Sequence, residues 1–214
     1  GEAPQYNGKI DFVFVLDYSS SMLDTVQTTA QGGAPGTYPR SFLTDDVVYG
    51  ASEILLGANA QGYDNRVAMV AFGSNDTPLW YAGFTGSAAD VQEALFSHPL
   101  TVANQTNYSA GLQGAIEMIS SRTDTGRTPV VIFLSDGAPT NGSGTAQAQT
   151  PRDIGVRGYP VSIFTPPPNP LLATTSAGQT DYNTADSHNF VTHTPETAAD
   201  NTTSSPALAT VQRD

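Results

Sequence analysis

Short apolar runs alternate with amphipathic stretches along the first 165 residues of the chain. Four of these runs are nearly continuous and rich in β-branched residues, which is typical of strands buried on both faces of a parallel sheet. They cover residues 11–16, 66–72, 129–135 and 160–164. Residues 78–84 predict a further strand, and its Pro78 and Gly83 favour an edge position.

Helical periodicity predicts helices between these strands. Residues 87–96 follow Ser87, a candidate N-cap, and residues 109–119 carry an apolar stripe, whereas residues 146–156 form a weaker pattern. For residues 42–56 the predicted buried stripe is Phe42, Val47, Val48, Ala51, Ile54 and Leu55. The alternation predicts an α/β doubly wound domain with a mostly parallel central sheet, which binds ligands at the carboxyl ends of its strands.

Three segments interrupt the alternation. Residues 24–40 are rich in Gly, Pro and Thr without periodicity, and residues 165–187 begin with prolines and become polar. We interpret both as inserted loops of one domain over residues 8–193. Residues 194–214 are then a polar tail, a linker or a truncated final helix.

Composition narrows the function classes. The 214 residues carry a net charge of −12, and this charge disfavours nucleic acid and anionic membranes as partners. The absence of cysteine excludes disulfides and thiolate metal sites. The sequence contains no run of 18 apolar residues, so it predicts no direct insertion into a membrane. The sequence begins without an initiator Met or a basic-then-apolar leader, so we expect it to be a domain of a longer chain. We also expect this domain to be monomeric.

Candidate chemistry lies where the first apolar strand ends. Asp17 is followed by Ser19 and Ser21, so one carboxylate and two hydroxyls can converge on one point. Hard oxygen ligands of low total charge suit Mg²⁺ or Mn²⁺. Thr106, directly before a predicted helix, and Asp136, after the most apolar strand, fall on the same rim of the predicted sheet.

These residues, in this order and spacing, resemble a known family. The sequence is similar to a von Willebrand factor A domain with a metal-ion-dependent adhesion site, whose motif reads Asp-x-Ser-x-Ser, then Thr, then Asp. The resemblance covers roughly residues 8–165 and includes Met22, Thr106-Asn107 and Ser135-Asp136-Gly137. If Asp17 and Asp136 instead only cap turns and helices, no metal site follows.

The resemblance implies a division of roles at a Mg²⁺ site, with Mn²⁺ or Ca²⁺ as alternatives. Ser19, Ser21 and Thr106 would contact the cation through hydroxyls, and Asp17 and Asp136 would act mostly through ordered water. One open coordination position would accept an oxygen from the partner, often a carboxylate.

Four further side chains are candidate ligand contacts. Tyr38 and Arg40 belong to the segment that leaves the metal loop, and Tyr18 and Tyr108 flank metal-binding positions. The alternative for the last two is ordinary packing. Asp24 resembles the acidic residue that supports a second metal in integrin-like relatives, but one carboxylate is not a site, and a solvated acid in a loop or at a helix start explains it better.

Enzyme motifs are absent from the sequence, so we expect a binding module rather than an enzyme. The acidic, cysteine-free composition and the resemblance favour a domain of a bacterial surface or pilus-tip adhesin. Such a domain would bind an extracellular protein or glycan at the cell surface. The alternative is an intracellular assembly subunit that recruits clients to an AAA-type ATPase complex.

Overall fold

Seven strands and three α-helices form the part of the chain that the structure describes. The computed structural model describes residues 8–29, 35–98, 104–136, 140–142, 144, 147 and 156–162. In chain order the elements are β1 (Lys9–Asp17), β2 (Thr25–Thr29), β3 (Pro35–Pro39), α1 (Arg40–Gly57), β4 (Asp64–Phe72), β5 (Trp80–Thr85), α2 (Ala88–Ser97), α3 (Tyr108–Ser120), β6 (Thr128–Ser135) and β7 (Arg157–Ser162). Two 3-10 turns, Ser20–Leu23 and Ala58–Gln61, follow β1 and α1.

The first strand is the centre of a five-stranded sheet with the order β5-β4-β1-β6-β7. β1 is parallel to β4 and β6, and β7 is parallel to β6, whereas β5 runs antiparallel to β4 at the edge. The predicted α/β fold with a mostly parallel sheet is therefore confirmed, as is the edge position of β5. Asp17 pairs with Phe72, so the chemistry predicted after β1 lies at the carboxyl ends of the central strands.

Alternate residues of β1 supply two cores, one on each face of the sheet. Phe12 and Phe14 pack on the side of α1 and α2, and Val13 and Val15 pack on the side of α3. All four side chains are buried. Burial on both faces explains why β1 is a nearly continuous apolar run rather than an alternating one.

The predicted strands and helices agree with the structure within a few residues. Ser87 caps α2 as predicted, since its side chain accepts a hydrogen bond from the Asp90 amide. Most of the weak helix predicted at 146–156, the loop at 165–187 and the tail at 194–214 lie outside the described residues.

Segment 24–40 differs from the expected irregular loop. β2 and β3 pair as an antiparallel hairpin in register from Thr25–Pro39 to Thr29–Pro35. The segment carries few apolar residues, and the backbone hydrogen bonds that pair two strands do not depend on side-chain polarity, which is why hydrophobic periodicity does not show this hairpin.

The predicted stripe on α1 is partly wrong. Val48 and Ala51 are buried, but Ile54 is 76% exposed, and Leu43 and Leu56 take buried positions. The helix also buries polar residues of its sheet-facing side, including Thr44, Asp45 and Ser52. Their side chains are hydrogen-bonded. Ser52 donates to the Val48 carbonyl and Thr44 donates to the Arg40 carbonyl, so burial of these two hydroxyls costs little, and Asp45 accepts the Tyr18 hydroxyl.

Candidate metal-binding site at the carboxyl edge of the sheet

Asp17 ends β1 with its carboxylate fully buried. One oxygen accepts the Ser19 amide at 2.8 Å, and the other accepts the Ser135 hydroxyl at 2.6 Å. Burial raises the pKa of Asp17 to about 6, because hydrogen bonds from Ser135 and Ser19 only partly offset desolvation and the nearby Asp136 carboxylate raises the pKa further. A carboxylate held in this way gains from a cation close by.

Ser19, Ser21 and Asp136 form a continuous hydrogen-bonded chain of oxygen atoms. The two serine hydroxyls lie 3.1 Å apart, and the Ser21 hydroxyl donates to Asp136 Oδ1 at 2.8 Å. Ser19 and Asp136 are almost completely buried. Residues separated by 115 positions in sequence therefore meet where β1 and β6 end.

Thr106 lies on the loop that precedes α3, and the loop from 140 holds it. Its amide donates to Thr140 Oγ1 at 2.9 Å, and its carbonyl accepts the amides of Thr140 and Asn141. The Ser20 hydroxyl reaches the Asn104 carbonyl at 3.4 Å, which brings this loop against the serine turn. Thr106 is thus anchored on a loop that contacts the serine turn, although none of its described hydrogen bonds joins it directly to Asp17 or Asp136.

The serine hydroxyls at the site determine which cations it could bind. In the described part of the chain, no three His, Cys, Asp or Glu side chains group closely enough to hold a metal. A site here therefore depends on the Ser19 and Ser21 hydroxyls together with two carboxylates. This hard, weakly charged donor set fits Mg²⁺ or Mn²⁺ and is unsuited to soft metals.

Arg40, a candidate ligand contact, lies at the site and contacts one of its carboxylates. Its Nη1 donates to Asp136 Oδ2 at 2.7 Å and lies 3.6 Å from Asp24 Oδ2. Tyr38, the neighbouring candidate, is half-buried and stacks on Phe42 with ring centroids 5.4 Å apart.

Tyr18 and Tyr108 are not surface contacts, and the packing alternative describes them better. Tyr108 is fully buried and donates its hydroxyl to Ser135 at 2.8 Å. Tyr18 is 7% exposed and donates to Asp45 Oδ1 at 2.6 Å. Both rings extend from the metal loops into the cores, because an aromatic ring gains more from burial than from solvation.

Two further residues support the site through hydrogen bonds that sequence analysis did not predict. Ser135 links the Tyr108 hydroxyl to Asp17, and Asp45 holds Tyr18 in place. Ser135 stands directly before Asp136, which was the available signal. Asp45 gives no signal, because a carboxylate on a helix is ordinarily solvated.

Comparison with known proteins identifies the family. Residues 12–138 match the sequence profile of the von Willebrand factor type A domain, which is more than half of the chain. The chain belongs to this family. Type A domains are usually non-catalytic binding modules, and they often bind divalent cations. The comparison with curated proteins found no match.

Solved structures share the von Willebrand factor type A fold. The SpRpn10 VWA domain is 15% identical with a TM-score of 0.62, and the match covers 90% of this chain and 93% of that one. An aerotolerance-related membrane protein from Bacteroides fragilis is 16% identical with a TM-score of 0.56, over 73% and 69% of the two chains. The pilus adhesin SpaC from Lactobacillus rhamnosus GG is 18% identical with a TM-score of 0.55, over 73% of this chain and 24% of SpaC.

These similarities establish the fold alone. This type A domain spans about a quarter of the SpaC chain that it matches. Among the described helices, none combines the length and the apolar character that crossing a membrane requires.

Proposed function

We propose that this type A domain is a metal-dependent adhesion module that belongs to a bacterial cell-surface protein. It binds an extracellular protein or glycan through a divalent cation held by Asp17, Ser19, Ser21, Thr106 and Asp136. The observation that carries the proposal is the meeting of Ser19, Ser21 and Asp136 in one hydrogen-bonded chain at the carboxyl edge of the sheet.

The donor set supports a bound cation that keeps one coordination position open for the partner. The hydroxyls of Ser19, Ser21 and Thr106 would contact Mg²⁺ directly, and Asp17 and Asp136 would hold its water ligands. A cation bound in this way has few negatively charged ligands in direct contact with it. It therefore stays electrophilic and accepts an oxygen atom from the partner at its open coordination position. Type A domains are usually non-catalytic binding modules, which favours binding over catalysis at this site.

A partly exposed aromatic surface beside the site supports a macromolecular partner. The rings of Tyr38 and Phe42 stack, and Phe96 lies 6.3 Å from Phe42 between ring centroids. Phe96 is 43% exposed. Tyr38 and Arg40 are close neighbours in sequence, so a partner oxygen at the metal would bring the rest of the partner near these rings.

The cell-surface assignment is supported by composition and not by the fold. The chain has no cysteine, a net charge of −12 and a single lysine. SpaC, a pilus adhesin, shows that this fold occurs in such a protein, although the similarity extends to the fold only.

The test is a binding screen of the purified chain against matrix proteins and glycans with Mg²⁺, with Mn²⁺ and with a chelator. The variant Thr106→Val removes one hydroxyl while keeping the shape of the side chain. The variant Ser121→Ala removes a hydroxyl at the far end of α3, where Ser121 bonds the Met118 carbonyl, and serves as the control.

We expect partner binding that requires metal, that falls at least tenfold in Thr106→Val and that is unchanged in Ser121→Ala. Binding that is equal in chelator, or equal in Thr106→Val, contradicts the proposal. Absence of any metal-dependent partner contradicts the adhesion role and favours the assembly-subunit alternative.

A further inference from the structure

Arg40 brings a positive charge into the candidate metal site. Its guanidinium lies 2.7 Å from Asp136 Oδ2, and its side chain is only 20% exposed. Asp136 itself is 2% exposed, so this ion pair is shielded from solvent. Asp24, the second carboxylate near Arg40, is 3.6 Å away and mostly exposed.

Both oxygens of Asp136 are already engaged within the chain. Oδ1 accepts the Ser21 hydroxyl, and Oδ2 accepts Arg40. A divalent cation held by this donor set draws on the same carboxylate, directly or through water. A guanidinium stays charged at any physiological pH, so it cannot reduce its repulsion of the cation by losing a proton.

We propose that Arg40 is an internal cation of the site that competes with the divalent ion for Asp136 and thereby sets the metal affinity. This inference rests on the proposed function, and it assigns Arg40 an inhibitory role rather than the partner contact that the sequence suggested. The charges of the site support it, because Asp17, Asp24 and Asp136 carry three potential negative charges and Arg40 offsets one of them.

The competition also reaches the β2–β3 hairpin. The Arg40 amide donates to the Asp24 carbonyl at 2.9 Å and closes the base of the hairpin, directly after the turn that carries Ser21. The ion pair with Asp136 therefore fastens this base to the carboxyl end of β6. When Arg40 gives up Asp136, that link is lost and the hairpin base opens more often.

The experiment compares Mn²⁺ affinity of the full chain and its variants by isothermal titration calorimetry at one ionic strength. Arg40→Gln and Arg40→Met both remove the charge but pack differently. If one of these variants does not fold, the Mn²⁺ affinity of the other still tests the proposal. Arg40→Lys keeps the charge. Arg66→Gln removes an equal charge at the opposite end of β1, where Arg66 binds Asp11, and is the control.

We expect Mn²⁺ to bind about tenfold more tightly to Arg40→Gln and Arg40→Met, as removal of a nearby like charge predicts. Arg40→Lys and Arg66→Gln should stay within about threefold of the parent chain. A second readout is hydrogen–deuterium exchange of the peptide that contains the Arg40 amide. Mg²⁺ should speed exchange there in the parent chain but not in Arg40→Gln, where it is already fast.

Each other result overturns the inference in a recognisable way. Equal Mn²⁺ affinity in the parent chain and in both charge-removing variants overturns the competition but leaves the metal site of the proposed function intact. Weaker affinity in these variants means that Arg40 instead holds Asp136 in position for the metal, which also overturns it. No Mn²⁺ binding by the parent chain or any variant overturns the metal site and the inference together.

Discussion

Tyr18 and Asp45 show how single side chains hold the metal loop from inside the protein. Tyr18 directly follows Asp17, and its hydroxyl donates to Asp45 on α1 at 2.6 Å. Burial raises the pKa of Asp45 to about 7, although the hydrogen bond from Tyr18 partly lowers it. Burial and the Asp45 charge also raise the pKa of the Tyr18 hydroxyl, which keeps it a donor. The backbone next to Asp17, the first residue of the candidate metal site, is therefore anchored through a titratable group.

This pair makes part of the stability depend on pH. The folded pKa of Asp45 lies above the unfolded value of about 3.9, so the folded state binds this proton more tightly. Its contribution to the free energy of unfolding is complete below about pH 4 and is lost as pH rises to about 7. In Asp45→Asn we expect the fall in unfolding free energy between pH 5 and 7.5 to shrink by on the order of 2 kcal/mol.

Urea unfolding at several pH values in chelator measures this slope. Glu93→Gln, a change at an exposed position of α2, is the control and should leave the slope unchanged. A slope in Asp45→Asn equal to that of the parent chain would show that Asp45 is not the titrating group.

At the scale of elements, α3 approaches the sheet more closely than most side chains allow. A Cβ atom added to Gly111 would lie 2.5 Å from Phe72 Cδ1 and 2.8 Å from Val15 Cγ1. Gly114 meets Val70 in the same way, at 2.7 Å from Cγ1. The two glycines belong to the buried face of α3 and allow its close approach, and the position of this helix sets the position of the Thr106 loop before it.

We therefore expect Gly111→Ala to destabilise the fold by about 1–3 kcal/mol, because the added methyl group overpacks the interface. Gly57→Ala is the matched control at the end of α1, where nothing lies within 4 Å of an added Cβ. It should be neutral or stabilise the fold by up to about 1 kcal/mol, since alanine favours a helix over glycine. Urea unfolding compares the two variants, and equal stabilities would mean that α3 can shift away from the sheet without cost.

The strands of the sheet could be predicted from the sequence more fully than the buried face of α1. β1, β4 and β6 were predictable because strands buried on both faces leave continuous apolar runs, and Asp17 and Asp136 were predictable because they end such runs. The buried face of α1 was not, since Thr44, Asp45 and Ser52 are polar and become buried only through hydrogen bonds formed in the folded chain. The pairing of Arg40 with Asp136, across 96 positions, likewise has no local signal.

At the scale of the whole molecule, the two ends of the sheet carry different charge patterns. At the amino end of β1, Asp11 is fully buried and accepts hydrogen bonds from Arg66, Arg122 and Arg127. Burial alone would raise the pKa of Asp11, but these three hydrogen bonds lower it below its usual value. At the carboxyl end, Arg40 lies beside Asp24 and Asp136, and Asp17 lies near Asp136. The end that carries the candidate metal site is thus separate from the end at which three arginines converge.

This separation predicts that stability and metal affinity can be changed independently. Asp11→Asn leaves three arginines without their shared carboxylate, so we expect a loss of about 3–5 kcal/mol in the free energy of unfolding. Mn²⁺ affinity should stay within about twofold of the parent chain, because six residues of strand place Asp11 about 20 Å from Asp17. Urea unfolding and Mn²⁺ titration of the same preparation, at a temperature where the variant is folded, measure both quantities.

Glu93→Gln, the control, removes the same charge from an exposed position and should change the free energy of unfolding by less than about 0.5 kcal/mol. A fall in Mn²⁺ affinity in the folded Asp11→Asn variant would show that the arginine cluster controls the carboxyl edge of the sheet through β1.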